Sequence, residues 1–264
     1  MKKNIVYKWW FKLILLVLVF CPIITQIPYN QQNTTNLIGD ILQHPYINDI
    51  GFGLIIAKVM LLSVFIIPFV LKKNSHKFIL GYYILILFII GLFQNMSNTE
   101  YGFSFIIGNM VSQYVIAIFC IYDLFKNKSE ISKDKISKKK LWIIPLMLLA
   151  MLMPYSVQNG IVTPSINSIL TNEAGVTYCM ITPVIIGIFI LFDKNIYKPT
   201  LHIISYLGLI FGLLNLMTWF GFNTQNWWMG ILHLPLLILS IYGLIESKNK
   251  LSFKIKKRKT EKSK

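Results

Sequence analysis

Residues 51–94 read GFGLIIAKVMLLSVFIIPFVLKKNSHKFILGYYILILFIIGLFQ: two apolar runs, 51–71 and 77–94, on either side of the basic loop KKNSHK. A helix rising 1.5 Å per residue needs roughly 20 apolar residues to cross a hydrocarbon layer about 30 Å thick. Backbone groups in lipid have no water to bond, so runs of this kind must be helices. The same pattern recurs outward in both directions, at 9–28, 103–125, 141–157, 177–193, 199–222 and 227–246. The run at 141–157 is short. The chain of 264 residues is 55% hydrophobic and only 14% charged, against roughly 25% charged in a soluble domain. The sequence therefore predicts an all-α polytopic integral membrane protein with eight transmembrane helices.

The formal charge of +16 raises the question of a nucleic acid, but the placement of the charges argues against one. With the N-terminus taken as cytoplasmic, the cytoplasmic pieces are MKKNIVYK, KKNSHK, KNKSEISKDKISKKK, DKNIYK and the tail from Lys248, all rich in lysine. The pieces assigned to the outside, 29–50, 95–102, 156–176 and 223–226, carry no Lys or Arg. That is the positive-inside distribution, and it puts both termini in the cytoplasm. The reading points to the cytoplasmic membrane of a prokaryote. The first run has the basic start of a signal peptide and ends near Cys21, but Phe20 is bulky for a residue preceding a lipidated cysteine, and the apolar run continues to Ile27. It is read as a retained helix.

Two halves of the chain match in order. PYNQQN at 28–33 returns as PYSVQN at 154–159, and KKNSHK at 72–77 returns as DKNIYK at 193–198. Gly91 pairs with Gly212, and IY at 121–122 with IY at 241–242. This predicts two parallel four-helix repeats, 1–125 and 141–247. A basic linker at 126–140, which reads as solvated, joins them, and a basic tail follows at 248–264. Helix two is then the counterpart of helix six.

Candidate functional residues follow from polar groups inside apolar runs. Lys58 in LIIAKVMLL is a cation within a span, read either as an anion contact or as a side chain that snorkels outward or pairs with Asp49. Ser205, Gly208, Gly212, Asn215 and Trp219 share one face of helix seven, a small-residue packing stripe that ends in polar and aromatic groups. His233 in helix eight corresponds to Gln113 in helix four. Lys58, Gln113, Asn215 and His233 form the candidate ligand set. The outer segment NLIGDILQHPYINDI has the composition of a short surface helix, and its Asp40 and Asp49 are candidate catalytic acids. The basic tail can hold anionic lipid. Cys21, Cys120 and Cys179 lack paired spacing, so neither a metal nor another cofactor is expected.

Three functions fit. The first is a permease-like protein that binds or moves a small anionic, zwitterionic or neutral solute, or a lipid headgroup, at the repeat interface. The second is a non-catalytic partner of another membrane protein, an immunity or assembly factor. The third is an embedded enzyme acting on a lipid-linked substrate at the outer face through Asp40 and Asp49. No carboxylate is expected deep in a helix, which disfavours cation carriage.

Overall fold

The structure, a computed structural model, describes residues 4–71, 74–131, 136–158, 161–192 and 195–261. Each apolar run contains one helix: α1 (Trp9–Val19), α3 (Phe52–Val70), α4 (Ser75–Phe93), α5 (Ile107–Phe125), α6 (Ile144–Leu152), α7 (Tyr178–Leu191), α8 (Lys198–Met217) and α9 (Trp227–Glu261). A further helix, α2 (Thr34–Gln43), lies in the segment 29–50. Among the described residues five helices are long and apolar enough to cross a bilayer: α3, α4, α5, α8 with the π turn Thr218–Phe222 that prolongs it, and the part of α9 up to Lys248. The chain is a multi-pass helical membrane protein. α1, α6 and α7, with 11, 9 and 14 residues, rise only about 16, 14 and 21 Å, short of a layer about 30 Å thick.

Several helix limits differ from expectation, among them the end of α9, which runs on to Glu261 and not 246; two of the differences are due to proline. Pro lacks an N–H and disfavours helical backbone in the residue before it. α1 therefore ends at Val19, ahead of Pro22, and not at 28. α6 ends at Leu152, with Met153 in the left-handed region (φ 41°) before Pro154, and not at 157. α5 begins at Ile107, not 103, because a strand, Gly102–Phe105, precedes it. The chain is also not purely helical. Strands β1 (Ile24–Thr25), β2 (Met96–Thr99) and β3 (Gly102–Phe105) form an antiparallel sheet in the order β1-β3-β2, with Ile24 opposite Phe105 and Thr99 opposite Gly102. β4 (Tyr155–Gln158) and β5 (Ile161–Pro164) form a hairpin. α2 lays Leu37 and Ile41 against Ile23 and Ile106 beneath the sheet.

α7 is the hub. Every residue from Met180 to Leu191 is buried, as befits a helix that is apolar on all sides. α8 and α9 pair along small residues: a Cβ at Gly208 or Gly243 would run into the hydroxyls of Ser240 or Ser205, and one at Gly212 would press on the Leu237 backbone. α3, which the repeat would make the counterpart of α7, lies outside, with Phe52, Ile56, Val59 and Val70 exposed. The matching hexapeptides also diverge. Asn30 of PYNQQN caps the 3-10 turn Gln31–Asn33, whereas PYSVQN supplies β4. The two lysine loops lie partly outside the described residues.

Hydrogen bonds gather the connecting segments into two ends. At one end Asn4 Nδ2 donates to the Tyr197 hydroxyl, the Glu130 N–H to the Asn195 carbonyl and the Ser137 N–H to the Leu191 carbonyl, and Lys140 meets Glu246 at 2.9 Å. This is the lysine-rich end. At the other end the Gln94 side chain accepts the Tyr178 N–H, Ser97 donates to the His44 carbonyl and Tyr46 to Asn98. Where the linker leaves α5, Lys126, Asn127, Lys128 and Glu130 are exposed, whereas Ser129 and Ile131 are buried. Its residues 132–135 lie outside the described residues.

Close helix approach makes a testable contrast. A Cβ at Gly108 would strike the carbonyl oxygens of Leu18 and Val19, whereas nothing lies within 4 Å of one at Gly81. Gly108→Ala is expected to destabilise by about 1–3 kcal/mol. Gly81→Ala should leave stability unchanged or raise it, through helix propensity. Thermal unfolding of the detergent-purified variants checks both.

Candidate functional site

Lys58 sits in α3 where the 3-10 turn Glu173–Val176 docks. Gly175 makes the docking possible, because a Cβ there would lie 2.5 Å from the Lys58 backbone nitrogen and 2.7 Å from the Ala57 carbonyl carbon. The Lys58 side chain neither snorkels nor pairs with Asp49. It is 3% exposed and turns inward. Nζ donates to Asn172 Oδ1 at 2.7 Å and to the Leu152 carbonyl at 3.4 Å. Asn172 does three further jobs. Its amide donates to the Met153 and Leu152 carbonyls at 2.5 and 3.3 Å, and its Oδ1 also accepts the Ala174 N–H at 3.2 Å. Those carbonyls are the open, partially negative end of α6, so the ammonium is held by a helix C-terminus and an amide. Among the described residues no carboxylate forms an ion pair with it. An ammonium has three donors, and two are engaged.

Asn215 and His233 flank the same region, at the end of the bundle opposite the lysine-rich one. Asn215 donates to Cys179 Sγ at 3.1 Å and to the Phe211 carbonyl at 2.8 Å. His233 Nδ1 bonds the Met229 carbonyl at 2.8 Å, and its ring lies 5.9 Å from that of Trp219. Met229, Met153 and Ala174 belong to one small core, against which Cys179 and Trp219 pack. Lys58, Asn215 and His233 thus gather around a single methionine-rich cluster, while Ser205, Gly208 and Gly212 serve the α8–α9 contact. Gln113 stands apart: its Oε1 accepts from Asn95, which caps the Ile90 and Gly91 carbonyls at the end of α4. Asp49 is exposed on the Tyr46–Ile50 turn, and Asp40 lies 3.3 Å from His44 on the α2 surface.

Two polar groups escaped the sequence reading. One is Asn172, whose segment, 156–176, carries no sign that it reaches α3. The other is Asp123, a fully buried carboxylate in the last turn of α5. Its oxygens accept the Ser129 N–H at 2.8 Å and the Ser129 hydroxyl at 2.7 Å, and the same hydroxyl accepts the Tyr197 N–H at 2.9 Å. His76 is buried nearby at the start of α4. A carboxylate inside an apolar run was the available signal, but its place near the helix end made it look interfacial. Close by, His202 Nδ1 bonds Ser247 Oγ at 2.7 Å and its ring meets Tyr7 at 4.6 Å.

Burial raises the Glu173 carboxyl above the ordinary range, opposed by a hydrogen bond from Asn48 and by the nearby His44. A raised carboxyl means that the fold binds the proton more tightly than the unfolded chain, so this contribution is present in acid and lost as pH rises through the folded value. Glu173→Gln should therefore raise the unfolding temperature at pH 7, with the gain vanishing below pH about 4, the ordinary Glu range. Asn172→Ala strands a buried ammonium and should destabilise by about 3 kcal/mol. Lys58→Met/Asn172→Ala should be no less stable than Asn172→Ala alone. Denaturant titration of the two single variants and the double variant in detergent measures that coupling.

No described protein family, curated protein or solved structure matches this chain.

Proposed function

We propose that the protein is a permease-like membrane protein of eight crossings, arranged as two co-oriented four-helix units with the lysine-rich end in the cytoplasm of a prokaryote. It binds a small anionic or zwitterionic solute, or a lipid headgroup, at the outer junction of the units. Several observations support the crossing pattern. The stretch 4–25 begins beside Tyr197 at the lysine-rich end and finishes in β1 at the other. The stretch from Ser137 to Leu152 and α7 each join the same two ends. Gly91 packs on Tyr114 of α5, as Gly212 packs on Leu237 of α9, so a matched glycine serves the second hairpin seam of each half. The unequal burial of α3 and α7 is the main departure from twofold symmetry.

The observation that carries the function is Lys58: a buried cation without a carboxylate partner among the described residues, held only by neutral oxygens of the other half. An intramembrane ammonium is unfavourable to maintain and marks a ligand path in many membrane proteins. An anionic oxygen of a ligand would engage the third donor or displace the Asn172 amide. Displacement would loosen the strap that Asn172 fastens to α6, coupling occupancy to the contact between units. Asn215 and His233 line the neighbouring cluster, and Gln113 is the most distant member of the set. Asp49 is exposed and Asp40 is half-exposed, so neither acid of the enzyme reading is desolvated.

The test is a thermal-shift screen of the detergent-purified protein with phosphate, sulfate, glutamate, glycine and glycerol 3-phosphate. At least one anion should raise the unfolding temperature of the native chain by several degrees, and Lys58→Met should lose that rise whatever its own baseline. A native chain that responds to none of the five, or a rise that survives in Lys58→Met, overturns the reading.

A further inference from the structure

At the lysine-rich end, far along the bundle from Lys58, a cavity of about 270 Å³ opens between the N-terminal 3-10 turn Ile5–Tyr7, the last turns of α5 and the residue before α8. Its walls are Asn4, Ile5, Ile118, Phe119, Tyr122 and Tyr197. The lining is divided. Ile5, Ile118 and Phe119 are apolar. Tyr122 and Tyr197 set their rings 6.0 Å apart, and the Tyr197 hydroxyl accepts from Asn4 at 3.3 Å. Ile118 is 61% and Tyr122 46% exposed, and both lie on a helix that spans the bilayer, so the mouth faces lipid.

Depth and charge narrow the occupant. α5 ends at Phe125, which places Ile118 about 10 Å below the helix end and Tyr122 near the headgroup level. Trp9 and Trp10 are exposed on the first turn of α1, at the same end, the position of an aromatic belt. Lys126 is exposed one helical turn beyond Tyr122, and Lys8 is exposed with its ammonium 5.6 Å from the Trp10 ring. These two cations attract phosphate and repel a quaternary ammonium. The volume is below the roughly 300–1,000 Å³ of pockets that enclose a whole small ligand, so it suits part of an amphiphile whose remainder stays in the bilayer.

We propose that this cavity is a binding site for one anionic phospholipid of the leaflet at the lysine-rich end. Acyl carbons lie on Ile5, Ile118 and Phe119, the ester oxygens meet the Tyr122 and Tyr197 hydroxyls, and the phosphate sits between Lys8 and Lys126. The bound lipid would then join the N-terminal turn to α5 and to the start of α8. The site needs only membrane insertion and is independent of the proposed outer site.

The experiment uses the full chain in nanodiscs of phosphatidylglycerol or of phosphatidylcholine, with unfolding temperature and native mass spectrometry as readouts. A general attraction of basic tails for anionic lipid is separated from this site by Ile118→Trp, which fills the cavity from an exposed position without changing charge. The native chain should unfold several degrees higher in phosphatidylglycerol and keep one such lipid at an activation energy that strips the others. Ile118→Trp should reduce that retained adduct at least about fivefold while unfolding normally in phosphatidylcholine. Lys8→Gln/Lys126→Gln should reduce it as well, and soluble glycerol 3-phosphate should not compete. An adduct that Ile118→Trp leaves intact, equal retention of both lipids, or competition by glycerol 3-phosphate overturns the proposal.

Discussion

An ammonium enclosed by apolar side chains must find oxygen, and in this protein the oxygen comes from the far half of the chain. Lys58 reaches it through Asn172, 114 residues away, and the same amide closes the open end of α6 and caps its own turn. One side chain therefore fixes three things at once: where α3 lies, how the open carbonyls of α6 are satisfied and how the segment 156–176 folds back. Gly175 permits the approach that makes this geometry possible. Burying an unmet charge costs several kcal/mol, so these parts cannot separate independently.

The opposite end is closed by a different means. There a buried carboxylate, Asp123, collects both donors of Ser129 and turns the chain sharply back on leaving α5. Ser129 passes the link on to Tyr197 at the start of α8, and Glu130 and Asn195 bond side by side. Both ends thus use a polar residue inside an apolar helix to seize a connecting segment. Between them α7 supplies only apolar surface, broken by the Tyr83–Thr182 hydroxyl contact at 3.1 Å.

Much of the helical framework was legible because bilayer thickness turns length into a signal. Eight apolar runs became eight helices. Their limits were less legible. Pro22 and Pro154 lie inside the apolar runs 9–28 and 141–157 but act as terminators, since each lies where the chain can leave the helix for a strand. Lys58 stood out because charge is rare in such runs, whereas Asn172 did not, because nothing local distinguishes an asparagine that caps its own turn from one that also binds across the bundle. Asp123 was hidden by its partner: Ser129 sits in a lysine-rich stretch whose composition reads as solvent-exposed. The short strands were invisible for a similar reason, as two to four residues carry too little alternation to register.

The pairing of β1 with β3 bears on how the protein is assembled. Ile24 and Thr25 leave the ribosome long before Ser104 and Phe105, the residues they face. The opposite tip of the same segment waits longer still, for the Tyr197 that Asn4 binds, the Tyr206 that bonds the Lys12 carbonyl and the Ser247 that Tyr7 reaches. The helix Trp9–Val19 is thus seated only after partners made much later in the chain. At 11 residues it is too short to cross a bilayer by itself, so its place depends on those later contacts.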